Sequence, residues 1–168
     1  MKKYLLPMIA LAFCVAACSS KSGISETAQK NLDAMHGVTK CFDSKDFSKL
    51  GDYIAEDAIY HAGEMGDVKG LANMKAEFEK MTANTENPKT ELIKELADDD
   101  YVISWMRYTG TSKTDQMGVK AGKTYSSTAV EVAKFKDGKA VEHWTFMDPA
   151  EMMKMMGSSM PADTTKNM

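Results

Sequence analysis

Apolar residues fall on helical spacing in the first half of the chain and on strand-like alternation in the second. Ala28, Leu32, Met35, Val38 and Phe42 recur every three or four positions, so Ile24 to Phe42 predicts a helix whose single apolar stripe packs on a sheet. Phe47, Leu50 and Ile54 continue the pattern in a second, shorter helix, and Ala58-Ile59-Tyr60-His61 reads as a brief strand entering a turn punctuated by Gly63, Gly66 and Gly70. Leu71, Met74, Phe78 and Met81 mark a third amphipathic helix. Pro88 closes the helical half. Thr90 to Leu96 then alternates, Asp98-Asp99-Asp100 supplies a turn, and Tyr101 to Thr111 is rich in aromatic and β-branched residues, which predicts two consecutive antiparallel strands. Thr114 to Lys123 is a polar loop, and Pro149 to Met156 a last short helix. Helices first and hairpin-linked strands later define an α+β fold with helices packed on one face of an antiparallel sheet.

The sharpest local signal is Asp137-Gly138 between two alternating runs, because a type I′ hairpin turn needs positive φ at both central residues. A two-residue loop sets Lys136 across from Lys139, Glu131 across from Trp144, Val130 across from Thr145 and Ser127 across from Asp148. Alternation then puts Ala129, Glu131, Ala133, Phe135, Ala140, Glu142, Trp144, Phe146 and Asp148 on one face, with Val130, Val132, Lys134, Val141, His143, Thr145 and Met147 on the other. A bulge would invert part of this register.

The leader changes the picture of location. Lys2 and Lys3, the apolar run Tyr4 to Val15 and Val15-Ala16-Ala17-Cys18 resemble a bacterial lipoprotein signal with its lipobox. That resemblance implies cleavage before Cys18, lipidation of Cys18, and a chain anchored to the cell envelope. Ser19 after the cysteine is similar to the pattern that sorts lipoproteins to the outer membrane, facing the periplasm. The expected organisation is a signal over 1–17, a tether over 18–25, a domain over 26–157 and a polar tail over 158–168. Without Lys2 and Lys3 the 21 basic residues become 19 against 24 acidic ones, a net charge of −5, and no basic patch emerges, so nucleic acid is not an expected partner. Cys41 is left alone on a helical apolar stripe and forms no internal disulfide.

The order of elements, together with Asp100-x-Val102, Arg107-Tyr108-x-Gly110 and Asp137-Gly138-Lys139-x-x-Glu142-His143-Trp144-x-x-x-Asp148, resembles the SnoaL-like polyketide cyclases of the nuclear transport factor 2 like superfamily. The similarity runs from about Gln29 to Met156. It implies a cone-shaped domain, a curved sheet wrapped round helices, an apolar pocket and often a homodimer, in a superfamily that includes both enzymes and noncatalytic binders. Many relatives read Glu-His-Trp-Asp where this chain has Thr145 after the tryptophan, so activities resting on that aspartate do not transfer.

Candidate chemistry centres on Asp148, which by resemblance is a pocket general acid/base, with Trp144 and Phe146 as its apolar wall. Asp148-Pro149-Ala150-Glu151 is also a complete helix-start signature, and a capping carboxylate is held in its charged form. His61 is a candidate for the pocket mouth. Arg107 beside Trp105 either orients a ligand oxygen or forms a strand-face ion pair, and Glu131 is either a buried pocket carboxylate or a salt-bridge partner. His36, His61 and His143 show no close pairing, so no metal or other cofactor is expected. The methionines around Met152 to Met156 fit helical packing more simply than copper ligation. The expected function is binding of a small hydrophobic molecule, and the alternative is a cyclase, isomerase or hydratase acting through a pocket aspartate.

Overall fold

Ser25 begins α1 (Glu26–Ser44), its hydroxyl accepting the Ala28 amide as a cap. The computed structural model describes residues 23–61, 66–115 and 119–155, so the leader, Cys18 and the tail beyond 155 lie outside the described residues. After α1 come α2 (Leu50–Tyr53), β1 (Ile54–His61), β2 (Asp67–Lys69), α3 (Leu71–Ala83), β3 (Thr85–Ala97), β4 (Tyr101–Ser112), β5 (Thr124–Lys136), β6 (Lys139–Met147) and α4 (Pro149–Met155). The strands form one six-stranded sheet in the order β2-β1-β6-β5-β4-β3. Every pairing is antiparallel except β1 with β6, which is parallel. The α+β architecture read from the sequence is therefore the observed one.

Three local readings differ. The second helix keeps only one turn, because Ile54 already begins β1, and β2 replaces part of the glycine turn. Pro88 sits inside β3 rather than before it. β3 is an edge strand, where a residue without an amide proton is tolerated, and Asn87 at φ 48° accompanies the register shift beside it.

The inner face of the sheet packs on α1 and α3. Met35 and Cys41 of α1, Met74 and Phe78 of α3, Leu50, and Val102, Met106, Ala133 and Phe135 of the sheet form one buried cluster. Gly37 lets α1 and α2 approach closely, since a Cβ there would lie 2.4 Å from the Tyr53 ring. Among the described residues no helix is long and apolar enough to cross a membrane.

The β5–β6 hairpin corrects the expected register. Asp137 and Gly138 both have positive φ (54° and 78°), as a type I′ turn requires, and Lys136 pairs with Lys139. Between Phe135↔Ala140 and Lys134↔Glu142 the register shifts by one residue, because Val141 is an extra residue on β6. Beyond it Glu131 faces Thr145 and Val132 faces Trp144. His143, Thr145 and Met147 thus share the inner face with Ala129, Glu131 and Ala133, while Glu142, Trp144 and Phe146 turn to the outer face.

Candidate functional site

Four neighbouring strands deliver polar side chains to one point on the inner face of the sheet. Alternation along β4 buries Val102, Ser104 and Met106 and carries Tyr108 inward with them, while the same alternation along β5 buries Glu131. The Val141 bulge aims His143 and Thr145 at that carboxylate, and β1 adds Tyr60. Tyr108 Oη donates to Glu131 Oε1 at 2.7 Å, and Thr145 Oγ1 donates to Oε2 at 2.7 Å. His143 Nε2 lies 2.8 Å from the same Oε2, and its ring stacks on Tyr60 with centroids 5.3 Å apart.

Burial alone would push the Glu131 carboxyl up. The hydrogen bond and charge of His143, with hydrogen bonds from Thr145 and Tyr108, outweigh it and hold the carboxyl below its ordinary value. Burial, and next the Glu131 charge, push the Tyr108 hydroxyl far up, so it remains a donor. Burial raises Tyr60 as well. Glu131 is thus a fixed anion with both oxygens engaged, a poor proton acceptor but a firm anchor for an imidazole.

Beside this cluster, and touching His143, lies a cavity of about 30 Å³ walled by Met35, Val38, Phe42, Met74, Phe78 and Ala133. That is roughly the space one water occupies in the liquid. Pockets for small ligands measure about 300–1,000 Å³, so the cavity is too small to hold one as it stands.

Of the residues proposed for a pocket wall, Glu131 alone points inward, and His143, expected on the face opposite Glu131, joins it there through the Val141 bulge. His61, Trp144, Phe146, Trp105 and Arg107 lie on the outer face of the sheet, which corrects their expected place on a pocket wall. For Trp144 and Phe146 the cause is the Val141 bulge. For Trp105 and Arg107 it is the phase of β4, whose inner positions are taken by Val102, Ser104 and Met106. Arg107 Nη1 instead pairs with Glu91 at 3.1 Å. The His61 ring stacks on Trp144 at 4.7 Å, with Nδ1 3.0 Å from Asp67 and Nε2 3.2 Å from Glu142. Asp148 is exposed, and its Oδ1 accepts the Ala150 amide at 2.7 Å, which is the capping geometry. Cys18 lies outside the described residues.

Tyr60, Tyr108 and Thr145 were not singled out as site residues. Period-two reading from Val102 to Tyr108 was the available signal, since a tyrosine continuing a buried run on the Glu131 face has a donor to place. Nothing in the sequence located the bulge. Among the described residues no group of three or more histidine, cysteine, aspartate or glutamate side chains could hold a metal ion.

A six-stranded mixed sheet with helices packed on its inner face and a polar cluster at the centre of that face defines the class of fold. The model of the SnoaL-like polyketide cyclase family matches residues 32–156, and the chain belongs to that family. Solved structures share the architecture. TsrD from Streptomyces laurentii has a TM-score of 0.68 at 16% identity, covering 82% of this chain and 100% of its own. An LEH-like epoxide hydrolase from M. tuberculosis has a TM-score of 0.64 at 12% identity, covering 79% and 88%. A SnoaL-like polyketide cyclase from Agrobacterium tumefaciens has a TM-score of 0.63 at 15% identity, covering 76% and 98%. At such identities the likeness is one of fold. A search of curated proteins finds no match to the sequence.

Proposed function

We propose that this protein is an envelope lipoprotein, anchored through lipid on Cys18 to the outer membrane and facing the periplasm, whose cone takes up a small and mostly apolar molecule. The observation that carries the reading is buried Glu131 paired with half-buried His143 at the wall of an apolar cavity. Stability does not explain such a pair, because well-packed apolar residues of similar volume would hold the fold as well or better. A ligand site does explain it, since such sites are apolar chambers with a few placed polar groups that orient the guest. Met35 and Met74 give the chamber walls that can repack around a guest.

The test is a mass-spectrometric inventory of small molecules that copurify with the full chain, set against the same inventory for Ala133→Leu, which fills the cavity. A molecule enriched with the first and lost with the second supports the reading, and identical inventories sink it. Cys18→Ala should release the protein from the membrane fraction. We also place a homodimer contact on the outer sheet face, where Leu96, Ile103, Trp105 and Phe146 are exposed. A monomer mass in solution at micromolar concentration would remove that element.

One observation favours a second reading, an acid/base enzyme. A buried carboxylate at His143 Nε2 fixes the tautomer and orientation of an imidazole, as proton transfer demands. Once a ligand is known, loss of turnover in Glu131→Gln with turnover intact in Asp148→Asn would assign the work to the interior pair. The opposite result would return it to Asp148.

A further inference from the structure

Uptake into a chamber whose cavity is about 30 Å³ requires one wall to move, and the walls are held very unequally. The sheet is a continuous ladder from β2 to β3. Helix α1 is bonded to it along its length. Asn31 Nδ2 donates to the carbonyls of Asp98 and Asp99 at 3.3 and 3.0 Å, His36 Nε2 meets Glu95 at 2.9 Å, and Asp43 accepts the Thr90 hydroxyl at 2.7 Å.

Helix α3 has nothing comparable. Among the described residues, the one side-chain hydrogen bond leaving it runs from Asn73 Nδ2 to the carbonyl of Lys69, 2.9 Å away in the adjoining strand. Its ion pairs, Lys75–Glu79 and Lys80–Glu77, are internal. It begins without a side-chain cap at Gly70, whose φ of 83° and ψ of 144° lie in a region open essentially to glycine alone. What holds it on the sheet is the burial of Met74 and Phe78.

Those two side chains are the plug. Both line the cavity, and the Phe78 ring centroid lies 4.8 Å from Phe42 and 5.7 Å from Tyr60, whose ring stacks on His143. We infer that α3 is a lid: tied at Gly70 to the Ala58 carbonyl and at Asn84 to the Lys113 amide, it lifts off the sheet between these two points, withdraws Met74 and Phe78, and opens a path for an apolar guest to Tyr60 and His143. The inference rests on the chamber reading above and adds to it the route of entry.

Thiol accessibility tests it. Met74 on α3 and Met35 on α1 are both buried, at 1% and 6% exposure. In a Cys41→Ser background of the full chain, the thiol of Met74→Cys should react with a maleimide at least about tenfold faster than that of Met35→Cys, each read at its own position by peptide mass. Equal rates would overturn the lid. Uptake of 2-naphthol, followed by its fluorescence in stopped flow, judges the chamber separately. If no probe enters while Met74→Cys still reacts fast, α3 moves but the chamber reading falls, and the route of entry falls with it.

Discussion

Two histidine–carboxylate pairs lie back to back across the same sheet, one inside the cone and one outside. Inside, His143 meets a Glu131 side chain that is 8% exposed and further bonded by Tyr108 and Thr145. Outside, His61 meets a Glu142 side chain that is 29% exposed and shared with Lys134 at 2.9 Å. The chemistry of each pair is the same, yet the consequences differ. Water screens the outer pair and can replace either partner, whereas breaking the inner pair leaves a charge without solvent. His143 shares the inner face with Glu131 because Val141 bulges out of the β5–β6 register.

The largest expected effect is at the inner pair. Glu131→Ala strands His143, Tyr108 and Thr145 and should cost about 3–5 kcal/mol in urea unfolding, and a loss below about 1 kcal/mol would contradict the difference between the two pairs. Replacing both members of the pair, with Glu131→Leu and His143→Phe, should recover most of that loss.

The inner pair also has a pH signature. Because the folded-state value of Glu131 lies below its ordinary 4.5, its contribution is full above about pH 4.5 and is lost as pH falls through the folded value. Melting temperature should therefore drop more steeply below about pH 4.5 in the parent chain than in Glu131→Gln. A parallel pair of curves would contradict the placement of the charge. A smaller effect is expected at Asp148→Ala, about 1 kcal/mol for a lost cap, read as faster amide exchange at the start of α4. Smallest of all is His61→Ala. Its melting temperature should match the parent chain within error, because the outer partners remain solvated.

Much of the fold was legible because helical stripes and a type I′ turn are written in short windows. The Ala28-to-Phe42 stripe predicted α1, and Asp137-Gly138 predicted the hairpin and its innermost pair. The site was less legible. Face assignment propagates outward from the turn, so one bulged residue inverted every side chain beyond it, and the tryptophan that looked like a pocket wall became a surface neighbour of His61. β2 is three residues long, too short for any period to register. Asp148 carried two readings from the start, and the capping signature was the more local of the two and is the contact observed.

The parallel pair of β1 and β6 has a consequence in time. Ile59 meets Glu142 only after the whole intervening chain has been laid down, so the sheet cannot close until the last strand arrives. Contacts between segments so far apart in sequence carry a large loop-closure entropy and form late. A chain stopped before β6 leaves the β1–β2 pair unjoined to the β3–β4–β5 ladder and should stay open and protease-sensitive. For a protein proposed to leave the cytoplasm before it folds, such lateness is an advantage, because the N-terminal half cannot lock prematurely into its native sheet.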